Sequence, residues 1–440
     1  MGTQATYVST ATALVMGAVL SNVVAAPSET QVSSDRLQQH IAALATHGAN
    51  PEGGVSRVAY SEADRKGRAY VTELMKAAGL RVRLDTAGNI IGRREGSDPS
   101  LPAIMLGSHT DSVPKGGNYD GDVGVLGAIE VAQTLAERGV TLSHPLEVVN
   151  FTDEEGPVVG SQAMSGHIDP ARLDTISNSG MSVRDGIRAV GGNPDQLAAA
   201  TRKPGELAAY VELHIEQGAF LDDAKVNIGV VEGIVGVAHW DVTATGFANH
   251  AGTTPMIGRR DALLAAADFV LAVNRVATTM PGRQVATIGQ IRAEPGAPNV
   301  IPGRVVMSLE IRDLESTKIQ EVFARVQSEA LRIATARQVS IAFSDQTVGV
   351  EPAPTDERMR HVIAEAAKAL GLSYQAMPSG AGHDAQEMSR IAPIGMIFVP
   401  SVGGISHSPK EYTSPADIAN GANVLLRTVL AIDGGALERN

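Results

Sequence analysis

Two kinds of hydrophobic pattern divide the chain. In the first, short and mostly apolar runs at Ala103–Ser108 and Leu146–Thr152 are typical of buried strands, and a 3.6-residue apolar spacing between them predicts a helix over Gly124–Arg138. Strand, helix and strand in this order predict a parallel sheet of the α/β class. Loops that carry chemistry are then expected at the carboxyl ends of the strands.

The second pattern is an alternation of apolar and polar residues that begins at Gly236–Gly246 and is typical of a half-exposed strand. The elements predicted after it are the helix Arg259–Val276, the strands Gln284–Ala293 and Arg304–Arg312, the helix Ser316–Ala334 and the strand Val339–Ser344. The order β-α-β-β-α-β is that of a split, ferredoxin-like α+β unit. Its length of about 110 residues suits one small inserted domain.

On either side of this unit the chain follows the first pattern. The elements predicted there are helices at Ser34–Ala45, Asp64–Ala78, Asp356–Leu370 and Asp417–Asp433, two short strands within Arg81–Glu95, and a buried strand at Ile394–Val399. We therefore predict a leader over residues 1–33, a first domain formed by residues 34–235 and 346–440, and an inserted domain over residues 236–345.

The charge balance and the cysteine content exclude several kinds of function. The 36 Lys and Arg and 48 Asp and Glu give a net charge of −12, whereas nucleic acids and anionic membranes are bound through clustered positive charge. We therefore expect no nucleic-acid partner and no stable membrane association. Because the sequence contains no cysteine, disulfides and thiolate metal sites are excluded, and any metal must be held by His, Asp and Glu.

The first residues leave two interpretations of the leader open. The apolar run Ala11–Ala26, with Val24 and Ala26 at the spacing of a cleavage site, is typical of a signal peptide. The polar residues that interrupt the run, and the lack of Lys or Arg before it, favour a leader that is not cleaved. The run is too short and too polar for a membrane span. We expect a cytoplasmic location, or a periplasmic or secreted one if residues 1–26 are a signal peptide.

Candidate ligands and a candidate base follow the first two buried strands. His109-Thr110-Asp111 comes after the first strand, and an imidazole with a carboxylate two residues later can supply a metal ligand and the group that orients it. Asp153-Glu154-Glu155 comes after the second strand, where one carboxylate can bind metal while its neighbour acts as a general base. Taken singly, each segment also fits an ordinary polar loop or the start of a helix.

Three further segments add potential ligands. Asp120 lies in the glycine-rich loop GGNYDGDVG, His214 lies between carboxylates in ELHIEQG, and His407 lies in the loop SVGGISHSP after the last buried strand. Together with the segments above, they have the composition of a dinuclear zinc or manganese site. Two metal ions that share one carboxylate can polarise a carbonyl group for hydrolysis.

The order and spacing of the motifs resemble the hydantoinase/carbamoylase group of dinuclear-metal amidohydrolases, within the aminoacylase/carboxypeptidase class. The matching segments are GSHTDSVPKGGNYDGDVGVLGAIEV, FTDEEG, ELHIEQG, NHAGTTPM with RRDAL, APNVIPG with LEIRD, and SGAGHDAQ with GGISHSP. They cover roughly residues 35–435. The resemblance implies a mixed-sheet, metallopeptidase-like catalytic domain with an inserted ferredoxin-like lid and dimerisation domain.

The resemblance also implies ligands for two divalent metal ions, zinc or manganese, with cobalt or nickel as alternatives. Asp120 would bridge the two ions, His109 and His214 would complete the ligands of one ion, and Glu155 and His407 would complete those of the other.

The remaining motif residues acquire roles in catalysis and substrate binding by the same resemblance. Glu154 would be the general base and Asp111 would orient His109. The residues implied to contact the substrate are Gln217, His250, Asn299, Arg312 and His383. Arg312 suits a bidentate grip on a carboxylate, and His250 suits donation to a developing oxyanion. Because enzymes of this group are homodimers built through the inserted domain, a second copy joined through residues 236–345 is the implied protein partner, and His250 serves its own site or its neighbour's.

The implied reaction is hydrolysis of a linear amide in an N-carbamoyl L-amino acid or a related ureido acid such as allantoate, with release of ammonia, carbon dioxide and the amino acid. Deacylation of N-acyl amino acids and cleavage of dipeptides are alternatives on the same scaffold. The sequence departs from the group's pattern beside the ligands, because Pro157, Val158 and Val159 replace a segment that commonly contains Arg-Phe, and Asp122 stands where Pro is common. These changes leave the side chain of the substrate open.

Overall fold

The computed structural model describes residues 1–2 and 30–438. The chain divides into two compact units, Met1–Thr30 and Gln31–Asn440, and all elements named below belong to the second unit. The apolar run Ala11–Ala26, on which the signal-peptide interpretation of the leader depends, therefore lies outside the described residues.

The helices and strands of the second unit alternate over most of its length. The helices are α1 Ser34–Leu44, α2 Glu62–Ala77, α3 Asp122–Glu137, α4 Val159–Ser165, α5 Val183–Ala189, α6 Phe220–Ala224, α7 Ala262–Thr279, α8 Ser316–Arg337, α9 Glu357–Ala369, α10 Asp384–Met388 and α11 Pro415–Asp433. The strands are β1 Arg81–Leu84, β2 Ile90–Arg94, β3 Ala103–His109, β4 Leu146–Phe151, β5 Leu207–Ile215, β6 Ile228–Ile234, β7 Gly236–Thr245, β8 Asn249–His250, β9 Val285–Glu294, β10 Val300–Ile301, β11 Arg304–Asp313, β12 Ser340–Phe343, β13 Val348–Val350, β14 Ala353–Pro354, β15 Tyr374–Ser379 and β16 Ile394–Val399. Short 3-10 helices cover Pro170–Asp174, Pro194–Ala200 and Val402–Gly404.

The largest sheet of the structure is mixed and has nine strands. Its strand order is β1-β2-β4-β3-β5-β16-β6-β14, with β15 beside β6. The four central strands β4, β3, β5 and β16 are mutually parallel, whereas the strands toward both edges include antiparallel pairs. Strands β3, β4 and β16 are buried along their whole length, as a sheet covered on both faces requires. The predicted mixed-sheet α/β class is confirmed.

A second, five-stranded sheet has the order β12-β7-β11-β9, with β13 beside β7. Its pairs are antiparallel, and α7 and α8 pack on it around a separate hydrophobic core that includes Trp240, Phe269 and Val322. The chain order β7-α7-β9-β11-α8-β12 matches the predicted ferredoxin-like unit. The exact domain limits, 34–235, 236–345 and 346–440, stay a prediction.

Helix α7 is the more apolar of the two helices that pack on the five-stranded sheet. Among the described residues, it is the one helix that is long and apolar enough to cross a membrane. Its buried residues, among them Ala265, Phe269 and Val273, pack in the core beneath the five-stranded sheet. It is therefore a core helix of this unit in the structure.

Side-chain caps explain two of the differences between the predicted and observed helix starts. Helix α7 begins three residues later than predicted, because the Asp261 side chain accepts hydrogen bonds from the N–H groups of Leu263 and Leu264. Helix α2 begins earlier than predicted, because Ser61 caps it through the N–H of Asp64. The sequence patterns also missed short elements, among them α4, α10 and β15, whose lengths are too small for a clear period.

Candidate metal centre and substrate pocket

Four adjacent parallel strands place the candidate ligands at one edge of the large sheet. His109 is the last residue of β3, His214 is the last but one of β5, Glu155 follows β4 closely, and His407 lies in the loop after β16. Asp120 lies between β3 and α3. The carboxyl ends of parallel strands meet at the same edge, so residues almost 300 positions apart in the sequence come together there.

Asp120 lies between two groups of potential metal ligands. Its Oδ1 lies 3.2 Å from His214 Nε2 and 3.7 Å from His109 Nε2. Its Oδ2 lies 3.2 Å from His407 Nε2, which is itself 3.5 Å from Glu155 Oε1. Each group offers ligand atoms that all lie within 4.8 Å of one another. One carboxylate oxygen faces each group, which is the arrangement that a bridging ligand requires. We call these five residues the ligand cluster.

The imidazoles that face Asp120 are oriented by backbone carbonyl groups. His109 Nδ1 lies 3.0 Å from the carbonyl oxygen of Asp111, and His214 Nδ1 lies 2.9 Å from that of Ile215. A carbonyl oxygen only accepts, so the neutral imidazole carries its proton on Nδ1 and presents the lone pair of Nε2 to the cluster. Glu155 Oε1 is buried without a hydrogen-bond partner among the described residues. Both features fit bound divalent cations.

The charges in the cluster shift the affinity of its members for protons. Burial lowers the pKa of His214, but the hydrogen bond that its protonated imidazole donates to Asp120, together with the Asp120 charge, outweighs burial and raises that pKa to about 9. The same Asp120 contact raises the pKa of His407 to about 9. Burial, reinforced by Asp120, raises the pKa of Glu155 to about 8. Without metal, the cluster therefore retains protons that a bound cation replaces.

Glu154 lies next to the cluster but belongs to neither ligand group. Its Oε2 lies 3.5 Å from His109 Nε2, and its side chain lines the pocket described below. Burial and then the neighbouring carboxylate of Asp384 raise the pKa of Glu154 well above its usual range. A buried carboxyl group with raised proton affinity is suited to general acid–base chemistry.

Asp111 positions two segments at once. Its backbone carbonyl orients His109, as described above, whereas its side-chain carboxylate accepts hydrogen bonds from the N–H groups of Glu154 and Glu155, at 3.3 and 3.1 Å. The carboxylate itself is 4.0 Å from His109 Nδ1. The predicted orienting contact to His109 is therefore made by the main chain, and the carboxylate holds the loop after β4.

A cavity of about 370 Å³ opens above the cluster. Arg312, Gln217 and His383 line it, together with the cluster and Glu154. Gln217 Nε2 donates to Asp120 Oδ2 at 2.8 Å. Arg312 donates through Nε to Glu310 and through Nη1 to the carbonyl of Gly380, at 2.6 and 2.8 Å. Burial lowers the pKa of His383 well below its usual range, so its imidazole is neutral.

His250 and Asn299 lie together, but not among the residues that line this cavity. Strand β8 pairs with β10, so that His250 lies opposite Val300, and the N–H of Ala251 donates to the carbonyl of Asn299. His250 Nδ1 accepts from the N–H groups of Gly252 and Thr253, at 3.0 and 3.1 Å. The proton of the neutral imidazole therefore lies on Nε2, where it can be donated. We call these two exposed residues the outer pair.

Two functional residues escaped the sequence analysis because their motifs gave no sign of long-range contacts. Glu411 is buried and accepts hydrogen bonds from the N–H groups of Tyr119 and Asp120 and from the Ser406 hydroxyl. It therefore joins the loop of the bridging ligand to the loop of His407. Its position four residues after His407 was the available signal.

The second such residue is Arg57, whose side chain is 1% exposed. It donates to the carbonyl of Thr110 at 2.6 Å and to Asp122 Oδ2 at 2.5 Å. Thr110 follows His109, and Asp122 begins α3 directly after the Asp120 loop. Arg57 therefore joins the segments that carry two of the ligands.

Four of the eight non-glycine residues with positive φ in the described part of the chain line the cavity or precede a residue that does. Asp153, Val158, Gln217 and His407 all adopt left-handed backbone conformations, with φ between 52° and 58°. Such conformations are rare for residues other than glycine, above all for a β-branched one such as Val158. Strain of this kind is typical of functional sites that the surrounding structure holds in place.

Comparisons with known proteins agree with this geometry. A sequence model of Peptidase family M20/M25/M40 matches residues 105–431. The chain belongs to this family. Family members use divalent metals, and the ligand cluster is of the kind they require.

Individual members of the family are similar over almost the whole chain. An N-carbamoyl-L-amino acid amidohydrolase of Geobacillus stearothermophilus is 41% identical over 92% of this chain and 100% of its own length. A ureidoglycolate hydrolase of Oryza sativa subsp. japonica is 39% identical over 90% of this chain and 84% of its own. The crystal structure of a hydantoinase/carbamoylase family amidase from Burkholderia multivorans superposes with a TM-score of 0.84, at 36% identity, over 91% of this chain and 98% of that one. The predicted resemblance is confirmed.

Proposed function

We propose that this protein is an amidohydrolase that cleaves the linear amide of an N-carbamoyl L-amino acid or a related ureido acid such as allantoate. The products are ammonia, carbon dioxide and the amino acid. The observation that carries the proposal is the free, buried carboxyl group of Glu154 beside a five-residue ligand cluster at the floor of one cavity. The relatives named above, which include enzymes of N-carbamoyl amino acids and of ureidoglycolate, support the choice of the ureido bond.

The cluster is proposed to hold two divalent metal ions. His109, His214 and Asp120 suit one ion, and Asp120, Glu155 and His407 suit the other. Nitrogen and oxygen ligands of this kind favour zinc or manganese, and cobalt or nickel also fit. When bound, such ions polarise a carbonyl group and lower the pKa of water.

Glu154 is the proposed general base. Its carboxylate takes a proton from the water molecule that attacks the ureido carbonyl carbon. It then returns the proton to the terminal nitrogen as the bond between this nitrogen and the carbonyl carbon breaks, so that ammonia departs without the formation of an unstable anion. The carbamic acid that remains on the amino acid nitrogen loses carbon dioxide, which leaves the amino acid. Asp111 supports this step, because it holds the N–H groups of Glu154 and Glu155.

The remaining pocket residues are proposed to bind the substrate. Nε and Nη1 of Arg312 donate hydrogen bonds within the protein, whereas Nη2 is available to a ligand. We assign Arg312 to the substrate carboxylate. Gln217 and His383 are assigned to the ureido end, Asn299 to the substrate carboxylate, and His250 to the developing oxyanion.

Residues 236–345 are the proposed interface with a second copy of the chain. Leu264 and Leu271 on α7 and Leu331 on α8 are exposed there. Since the outer pair lies outside the cavity of its own chain, it reaches a site by closure of the inserted unit or by serving the site of the second copy. We place the enzyme in the cytoplasm, unless residues 1–26 direct its export.

Ammonia release tests the reaction class directly. The protein, loaded with manganese or zinc, is assayed on N-carbamoyl-L-amino acids, N-carbamoyl-β-alanine, allantoate and N-acetyl-L-amino acids, with Glu154→Gln as the control. We expect release from ureido acids that the variant loses. Hydrolysis of the acetyl compounds alone would assign the chain to deacylation instead.

A further inference from the structure

One wall of the cavity has no role in the reaction proposed above. It is formed by Val158, Gln162, Arg172 and Glu387, which line the same cavity as Arg312 and the ligand cluster. We call it the side wall. Arg172 comes from the 3-10 helix Pro170–Asp174, whereas Arg312 comes from β11 of the other sheet. The cavity therefore presents two guanidinium groups from separate parts of the fold.

The charge of Arg172 is not compensated within the described residues. Its side chain contacts the carbonyl oxygen of Pro157, at 3.5 Å from Nη1, and no carboxylate of residues 30–438 pairs with it. The acidic group on the same wall, Glu387, is paired with Arg390 at 3.0 Å. Arg312, in contrast, is paired with Glu310 at 2.6 Å. Arg172 is thus the guanidinium of this cavity that lacks an anion.

The position of Arg172 relates it to the substrate rather than to the metals. Pro157, which it contacts, follows the candidate ligand Glu155 by two residues, so the guanidinium lies against the loop that carries Glu154 and Glu155. Val158, the next residue of this loop, lines the same cavity and supplies an apolar surface. A guanidinium beside a short apolar surface suits a carboxylate carried on methylene groups.

We propose that the side wall is a binding subsite for an acidic side chain, so that the preferred substrates are ureido acids with two carboxylate groups. This inference rests on the proposed hydrolysis of ureido acids. One carboxylate then binds Arg312 and the second binds Arg172. A substrate with a single carboxylate leaves one guanidinium without a partner, and its binding is weaker for that reason.

Two matched substrates test the subsite. N-carbamoyl-L-glutamate and N-carbamoyl-L-glutamine have nearly the same shape and differ in the side-chain charge. We expect the wild-type protein to favour the glutamate compound by about two- to fivefold in kcat/KM, as for an ion pair that stays open to water. In Arg172→Met this ratio falls to about one, and the change arises in KM because Arg172 does not touch the reacting atoms.

Two further variants separate charge from shape. Arg172→Glu is expected to reverse the preference, in favour of Nα-carbamoyl-L-lysine over the glutamate compound. Arg65→Met removes an exposed arginine of α2 that does not line the cavity, and the wild-type ratio is expected to persist in it. Circular dichroism confirms that each variant is folded.

Each outcome has one meaning. A ratio near one in the wild-type protein, or a preference that survives Arg172→Met, overturns the subsite while ureido hydrolysis stands. Failure to cleave any ureido acid, charged or neutral, overturns the proposed function itself.

Discussion

The ligand cluster and the outer pair are both assigned to one reaction, but the fold treats them in opposite ways. The cluster lies at the carboxyl ends of four central parallel strands. Backbone carbonyl groups orient His109 and His214, and the buried Glu411 carboxylate accepts a hydrogen bond from the N–H of Asp120. His250 and Asn299 lie on short pieces of chain beside the smaller sheet, exposed to solvent and outside the cavity. The first region is complete within one chain. The second acquires a role only through movement or through a partner.

The difference follows from what each region must do. A metal site loses affinity when its ligands move, so it requires a rigid support and oriented imidazoles. A group that stabilises an oxyanion is needed only once substrate is bound, and a mobile segment can supply it while also admitting the substrate. The two regions are therefore expected to respond differently to substitution, and the largest loss of activity is expected at the general base of the first region.

Glu154→Gln tests the completeness of the first region. Because the amide can neither take nor return a proton, kcat is expected to fall by about 10²–10⁴-fold. The metal content and the unfolding midpoint are expected to remain those of the wild-type protein, since Glu154 belongs to neither ligand group. Steady-state kinetics and metal analysis measure both.

Glu206→Gln is the control for this substitution, because Glu206 pairs with Arg202 and does not line the cavity. A Glu154→Gln protein with wild-type kcat on ureido acids would refute the assigned base.

His250→Ala tests the second region. We expect kcat to fall by about 10²–10³-fold, as for the loss of an oxyanion donor, although His250 lies outside the cavity of its own chain. His361→Ala, which removes an exposed histidine of α9, serves as the control. An unchanged kcat would mean that the outer pair has no part in the reaction.

Mixing the two inactive variants decides which site His250 serves. If it serves the second copy, a mixed dimer of Glu154→Gln and His250→Ala chains contains one intact site. About a quarter of the wild-type activity then returns after subunit exchange, since half of the dimers are mixed and each has one of its two sites intact. No recovery would mean that each chain supplies its own His250.

Arg57→Met tests whether the link that Arg57 forms between two loops holds the ligand cluster in place before metal binds. It breaks the link between the segments of His109 and Asp120, and we expect metal affinity to fall by about 10–100-fold. The unpaired Asp122 lowers the free energy of unfolding by about 3–5 kcal/mol. Competition with a chromogenic chelator and thermal denaturation measure the two effects.

Arg57→Lys keeps the charge and is expected to restore part of the stability but less of the metal affinity, because Lys lacks the planar fork. Arg138→Met, at the far end of α3, is the control. Equal metal affinity in Arg57→Met and the control would show that the link does not act on the ligands.

The five residues of the ligand cluster could be named from the sequence, because each lies in a short local motif at or after the end of a strand, and the structure brings them together; their role as metal ligands stays a prediction. His109, Glu155 and His407 could be placed at one sheet edge from strand order alone. Arg57 and Glu411 could not be found in this way. Their partners lie 53 and 291 residues away in the sequence, and neither arginine nor glutamate in a loop indicates burial by itself.

The fold was predicted to a similar degree. Long periodic segments such as α8 and β11 were found from the sequence. Short elements such as α10 were missed, because five residues are too few to show a helical period clearly. The outer pair shows a different limit. Its motifs suggested a role in the site, but no local pattern reports whether an exposed residue meets the cavity of its own chain or that of another.

The pH dependence of stability is the smallest effect, and the ligand cluster contributes to it through three of its members. In the metal-free protein the Asp120 contact raises the pKa of His407 to about 9, and against the effect of burial it also raises that of His214 to about 9. Both are about 6.5 in the unfolded chain. A raised folded pKa contributes stability that is fully present below the unfolded value and is lost as pH rises through the folded value.

Burial raises the pKa of Glu155 to about 8, and this acts in the same direction. The contribution of Glu155 is lost between pH about 4.3 and about 8, and those of the two histidines between about 6.5 and about 9, so these three groups lower the free energy of unfolding of the metal-free protein over this whole range. Metal affinity should rise over the same range, because binding replaces these protons. The gap between the unfolding midpoints with and without manganese then widens as pH rises. His250→Ala should leave this profile unchanged, since the outer pair lies away from the cluster, whereas parallel pH profiles with and without metal would mean that the cluster is not where the metal binds.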